Sequence, residues 1–168
     1  MLYERFKKLI GLFCNGLNLI MGGNLPPFTC ASVIVEDDGR FLVIQRPNGE
    51  IAFPGGFARW QEHPTQTARR ECKEETGLDI RVGDLLGYQS YTSFDATRMS
   101  VVSLVFHGKV IGGELRDSIE GRASWLIDDE LSTRLNPFYE STYREYVHSR
   151  TQPAWKQGTH AVPSQDNK

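Results

Sequence analysis

The sequence has little of what a nitrogen- or sulfur-based metal centre needs. It contains three cysteines, Cys14, Cys30 and Cys72, without C-x-x-C spacing, and four histidines far apart. That pattern excludes a readable Cys/His site and a disulfide framework. It fits reduced, packing thiols in a cytoplasmic protein. Long hydrophobic runs are missing as well: no stretch approaches the ~18 consecutive apolar residues of a membrane span. Neither sign of charge dominates, with 19 Lys+Arg against 21 Asp+Glu and a net charge of -2. This argues against a nucleic-acid surface that works by neutralising phosphates. There is no internal repeat at a solenoid period. What is there, 168 residues with 39% hydrophobic and 24% charged, suits one globular domain with extensions.

Three segments follow from composition: 1–25 as an N-terminal amphipathic helix and linker, 26–150 as the domain, and 151–168 as a polar, mobile tail in which Trp155 docks locally at most. In the first, Leu2, Phe6, Leu9, Phe13, Leu17 and Ile20 recur at helical spacing, and Arg5, Lys7 and Lys8 outweigh Glu4. Three readings stand. The stripe packs on the domain or on a dimer partner, residues 1–21 lie on a membrane surface, or the segment is a targeting signal. Asn15, Gly16 and Asn18 and the lack of an A-x-A-like site weigh against the last.

The domain reads as strand, "EDDG" turn, strand and "PNGE" turn, then a short strand at Ile51–Phe53. "HPTQTARRECKEETG" reads as a helix with Pro64 in its first turn and Gly77 as its stop. Beyond it lie an extended segment broken at Gly83 and an interior strand around Val101–Phe106. A glycine-bounded loop "GGELRDSIEGR", a closing strand "ASWLI" and a helix over Pro137–His148 complete the domain. Strands and helices alternate unevenly, so the expected class is α/β, a mixed sheet with helices on its faces.

The chemistry concentrates at one glycine loop and the helix after it. At about 100° per residue, Glu71, Glu74 and Glu75 fall within roughly a quarter turn, and Arg70 stands four residues before Glu74. Each like-charge pair costs only about 0.2–0.5 kcal/mol. An isolated "ECKEE" is therefore simply a solvated acidic face. Gly55 and Gly56 upstream alter that reading, since a backbone without Cβ atoms can approach a ligand closely and offer a carbonyl oxygen beside the carboxylates. Oxygen-only donors with retained waters are what Mg²⁺ prefers, with Mn²⁺ as a substitute.

From Gly56 to Leu78 the sequence resembles the Nudix box, G-x5-E-x7-R-E-U-x-E-E-x-G-U with U a bulky apolar residue. Glu62 stands at the required gap and "RECKEETGL" completes it; the one departure is Cys72, small for its position. With each residue type at about 7% frequency, seven fixed identities arise by chance about once in a million chains of this size. The resemblance implies an α/β/α sandwich with the box as a loop-helix-loop. It also implies a metal site of Glu71, Glu74 and Glu75 with the Gly55 carbonyl, an orienting Arg70, and Gly56 and Glu62 in structural roles. The implied reaction is metal-dependent hydrolysis of a pyrophosphate bond in a nucleoside diphosphate linked to another group. Glu74, Glu75 or an acid of the later loop (Glu120, ahead of Asp117 and Glu114) serves as catalytic carboxylate.

The leaving group is less legible. Markers for ADP-ribose, NADH and diadenosine polyphosphates are missing downstream, where "TSF" replaces a proline typical of ADP-ribose hydrolases. By elimination the reading favours nucleoside triphosphates, oxidised ones included, over ADP-ribose. Phe53 and Tyr91, with Tyr88 and Phe94, are the rings that would stack on a base, although such aromatics also build cores. The family resemblance makes a homodimer an expected state. The alternative function is a nucleotide-sensing module that keeps the fold without cleaving; such members usually lose box glutamates, and all are present here.

Overall fold

Alternating apolar residues build the strands. Phe28–Asp37 (β1) turns through Asp38 and Gly39, with φ of 50° and 71°, into Arg40–Gln45 (β2). Asp and Gly are the residues that tolerate this left-handed turn. Ile51–Ala52 (β3), Gly55–Phe57 (β4), Leu78–Tyr91 (β5), Val101–Gly113 (β6) and Arg122–Ile127 (β7) complete the strands. The helices are Leu2–Ile20 (α1), Pro64–Thr76 (α2), Asp128–Arg134 (α3) and Pro137–Thr151 (α4). The computed structural model describes residues 2–91 and 97–151, and the side chains of 8–91 and 97–150.

The strand order is β3-β2-β1-β6-β5, with β4 paired to β1 and β7 to β2. Parallel pairing joins β1 and β6, from Phe28 beside Val101 to Val35 beside Gly108, and the other pairs are antiparallel. The sheet is mixed, as its uneven alternation of elements implies. Side chains along β1 point alternately to its two faces. Val33 and Val35 pack with Ala68 and Cys72 of α2, while Ile34 packs with Tyr139 and Tyr143 of α4. Helices therefore cover both faces, giving the α/β/α sandwich.

Several local readings need revision. The "GG" loop carries a strand, because Gly55 and Gly56 pair with Ser32 and Ala31. At Gly83 the chain does not break; β5 runs through with register shifts between Val82 and Gly87. The short α3, without a side-chain cap, had no pattern to announce it. Helix α1 does dock on the domain, but through Gly11 and Asn15, with Asn18 tied to Leu25 of the linker, leaving Leu9, Phe13 and Ile20 exposed. Phe94, Trp155 and the segment 152–168 lie outside the described residues.

Candidate active site

Helix α2 is set by its ends. His63 caps the start by accepting from Thr65 N–H, and the Gln66 side chain accepts from His63 N–H, a reciprocal capping box. Gly77 ends it in the left-handed region at φ 77°, its N–H donating to the Lys73 carbonyl. Between these caps Thr67, Ala68, Cys72 and Thr76 are buried against the sheet. The helical period then turns Arg70, Glu71, Glu74 and Glu75 towards β4 and the loop before the helix.

Arg70 organises the outer half of the site. Its Nε and Nη2 grip Glu62 Oε1 and Oε2, both at 2.8 Å. Nη1 donates to Glu71 at 2.6 Å and to Glu74 at 3.1 Å, and Nη2 also reaches the Phe57 carbonyl at 3.0 Å. This planar donor fork serves four acceptors at once, which a lysine cannot do. Glu62 accepts further bonds from Arg59 N–H and the Thr67 hydroxyl. Its carboxyl is held down to about 2, chiefly by Arg70. Glu62 thus ties the loop to the helix. Glu74 is more exposed and turns to Arg59 (2.9 Å) as well as Arg70.

The inner half is drier. Glu75 is buried, and its Oε2 accepts from Gly55 N–H at 2.8 Å. Burial raises the Glu75 pKa, the Gly55 amide opposes that rise, and Glu120 and Glu71 add to it through their charges. The Gln45–Arg122 pairing of β2 and β7 anchors the chain just beyond Glu120 and delivers this loop to the cluster. Glu71 is also pushed up, first by burial, with Arg70 opposing and Glu74 and Glu120 reinforcing.

Both glycines are closely packed, Gly56 against a side-chain end and Gly55 against backbone. A Cβ on Gly56 would stand 2.6 Å from the Glu71 carboxyl carbon, and one on Gly55 would meet Ser32 Cβ at 2.5 Å and the Ala31 carbonyl at 2.6 Å. Ordinary side chains cannot approach so closely.

Among the proposed stacking residues, Phe53 is 1% exposed, with Tyr139 edge-on at 5.6 Å and Tyr143 at 5.8 Å. It is a core residue without a free face, which corrects the substrate-binding role. Tyr91 lies at the end of β5, half-exposed, its hydroxyl accepting from Arg98 at 2.9 Å. Phe57 of β4 and Phe28 of β1 are partly exposed rings, edge-to-face at 6.2 Å, and Trp60 stands open in the cleft lined by Arg59, Glu62 and Arg70. Sequence reasoning missed these three rings and Arg59. The Cys30–Phe57 register of β4 on β1 brings Phe28 and Phe57 together, and it appears only once the glycine loop is known to be a strand.

The donor set fits a hard dication in chemistry. Glu71, Glu75 and Glu120 offer only oxygen, and burial with mutual repulsion pushes the Glu71 and Glu75 carboxyls up, the mark of negative charge that a cation would neutralise. Among the described residues no three His, Cys, Asp or Glu side chains are already gathered as a metal cluster, since Arg70 and Arg59 engage Glu71 and Glu74.

Comparison with known proteins agrees with the geometry. A family model described as "NUDIX domain" matches residues 26–146. A "MutT-like protein" of Streptomyces ambofaciens is 40% identical over 111 residues, 65% of this chain and 69% of that protein. An "ADP-ribose pyrophosphatase" of Methanocaldococcus jannaschii is 35% identical over 138 residues, 80% and 78% of the two chains. Among solved structures, a NUDIX hydrolase from Nitrosomonas europaea superposes with a TM-score of 0.66 at 21% identity, covering 74% of this chain and 90% of that one. The MutT protein of Methanosarcina mazei Go1 gives 0.65 at 21%, covering 77% and 99%; these two likenesses show the fold. The chain belongs to the Nudix hydrolase family, enzymes that act on pyrophosphate bonds.

Proposed function

We propose that this protein hydrolyses the pyrophosphate bond of a nucleoside diphosphate linked to another group, in the cytoplasm, with Mg²⁺ as cofactor and Mn²⁺ as substitute. The observation that carries the reading is buried Glu75, its Oε2 pinned by the Gly55 amide at 2.8 Å, with the charges of Glu71 and Glu120 within electrostatic reach. Glu71, Glu74, Glu75 and the Gly55 carbonyl would hold the dication, which when bound neutralises diphosphate oxygens and acidifies water. Arg70 keeps Glu71 and Glu74 oriented, and Glu62 braces Arg70 against the loop. The Glu120 carboxylate accepts a proton from the attacking water. As the water oxygen bonds to phosphorus, the bridging P–O bond breaks and two phosphorylated products leave. Tyr91 is kept as a lesser candidate for substrate contact, behind Phe57 and Phe28.

Two substrate readings stand on different observations. The missing downstream markers favour nucleoside triphosphates, oxidised ones included. The archaeal relative named ADP-ribose pyrophosphatase favours ADP-ribose. Assay with Mg²⁺ against both classes, dinucleoside polyphosphates, NADH and nucleotide sugars, with products identified by chromatography, decides between them. Turnover of a nucleoside triphosphate to monophosphate and pyrophosphate supports the first, and AMP with ribose 5-phosphate the second. Failure to cleave any of them would leave a nucleotide-sensing module as the better reading.

A further inference from the structure

Helix α1 presents the wrong face to solvent for an ordinary surface helix. Its docked side is small and polar. A Cβ on Gly11 would overlap the Thr97 carbonyl, Asn15 Nδ2 donates to the Arg98 carbonyl at 2.9 Å, and Asn18 Oδ1 accepts from Leu25 N–H at 3.0 Å. The opposite side is apolar and open: Leu9 is 63% exposed, Phe13 71%, Leu19 81% and Ile20 84%, with Leu12 and Leu17 beside them. No charged residue occurs from Leu9 to Met21. Directly before that stretch come Arg5, Lys7 and Lys8 against a single acid, Glu4, and the Lys8 side chain is exposed.

We propose that α1 is a lipid-surface anchor: it lies in the headgroup–acyl boundary of an anionic bilayer, apolar face down, with the cationic segment that opens it drawn to anionic headgroups. Three features favour a lipid plane over a second copy of the chain. At about 100° per residue, the exposed apolar positions from Leu19 to Leu17 sweep roughly 160° of arc, broader than the narrow seam of a helix pair. The charge is one-sided: a second α1 packed alongside would bring another cationic segment and only one acid, whereas anionic lipid supplies the missing countercharge. The domain's bond to Asn15 and its close contact with Gly11 fix which face looks outward, so the stripe is presented ready for contact. Among the described residues no helix is long and apolar enough to cross a membrane; the geometry is that of a helix lying on one.

The proposal is independent of the hydrolytic reading, because α1 contributes no residue to the acidic cluster. The test is co-sedimentation of the full chain with vesicles of phosphatidylcholine alone or mixed equally with phosphatidylglycerol, alongside light-scattering mass in solution. Wild type should partition to the mixed vesicles about tenfold more strongly than a Phe13→Asp, Ile20→Asp variant, and raised salt should weaken it. Arg5→Gln, Lys7→Gln, Lys8→Gln should remove the preference for anionic vesicles. An unchanged melting curve in each variant shows that the fold is kept. Equal or absent partitioning of wild type and the Asp variant overturns the proposal. So does a wild-type dimer that ignores vesicles and becomes monomeric in the Asp variant, which would make the stripe a self-association seam.

Discussion

Helices α1 and α2 are both amphipathic, yet they settle in opposite senses. Helix α2 buries Ala68 and Cys72 and turns its charges to the site, where nearly every carboxylate has a donor from Arg59, Arg70 or the Gly55 amide. Helix α1 docks Asn15 and Gly11 and turns its leucines outward. Periodicity identifies a helix but does not say which face the domain takes. That choice depends on the surface offered: an apolar sheet face to α2, and the exposed carbonyls of Thr97 and Arg98 to α1.

The contrast can be broken at several points. The largest effect is expected from Glu75→Gln, which removes a charge and an oxygen donor at the driest position. Mg²⁺-dependent kcat/KM should fall by about 10³-fold or more, on the order of 4 kcal/mol of transition-state stabilisation, with far-UV circular dichroism unchanged. Arg70→Lys should cost about 10–100-fold, the usual scale for a residue that orients ligands, because lysine cannot hold Glu62, Glu71, Glu74 and Phe57 together. The two glycines should separate activity from stability. Gly56→Ala displaces only the flexible end of Glu71, so activity should drop about tenfold with little change in Tm. Gly55→Ala collides with backbone at Ala31 and should lower Tm by several degrees, at about 2–4 °C per kcal/mol for a chain of this size.

Acid stability tests the loop brace. Glu62 titrates near 2 in the fold against an ordinary 4.5. Its contribution is therefore fully present above about 4.5 and is lost as pH falls towards 2. Urea midpoints measured down that range should decline more steeply for wild type than for Glu62→Gln; parallel slopes would remove Glu62 from the brace. The smallest effect is expected from Lys73→Ala. Its bonds to Asp79 (2.7 Å) and the Gly77 carbonyl are partly exposed, so stability should change by under about 1 kcal/mol and turnover should stay within about twofold.

Much of α2 was legible because its signals are local. Pro64, Gly77, the glutamate spacing and Arg70 all act within a few residues, and a complete box left few alternatives. What escaped depends on distant pairing. Phe53 has the character of a stacking ring, but Tyr139 and Tyr143, some ninety residues on in the chain, cover it. Phe28 and Phe57 come together only through the β1–β4 register. Glu120 stood first among three loop acids, but its placement within electrostatic reach of Glu75 depends on β7 pairing with β2. The helix-period stripe of α1 was plain, whereas its docked face was not, because the partner carbonyls lie in a loop more than eighty residues away.

The most direct test is Mn²⁺ titration followed by electron paramagnetic resonance, with wild type and Glu75→Gln side by side. Wild type should withdraw free Mn²⁺ from solution, Mg²⁺ should compete it off, and Glu75→Gln should bind at least about tenfold more weakly. Equal Mn²⁺ binding by the two proteins, or none by wild type, would contradict a dication site built on this acidic cluster.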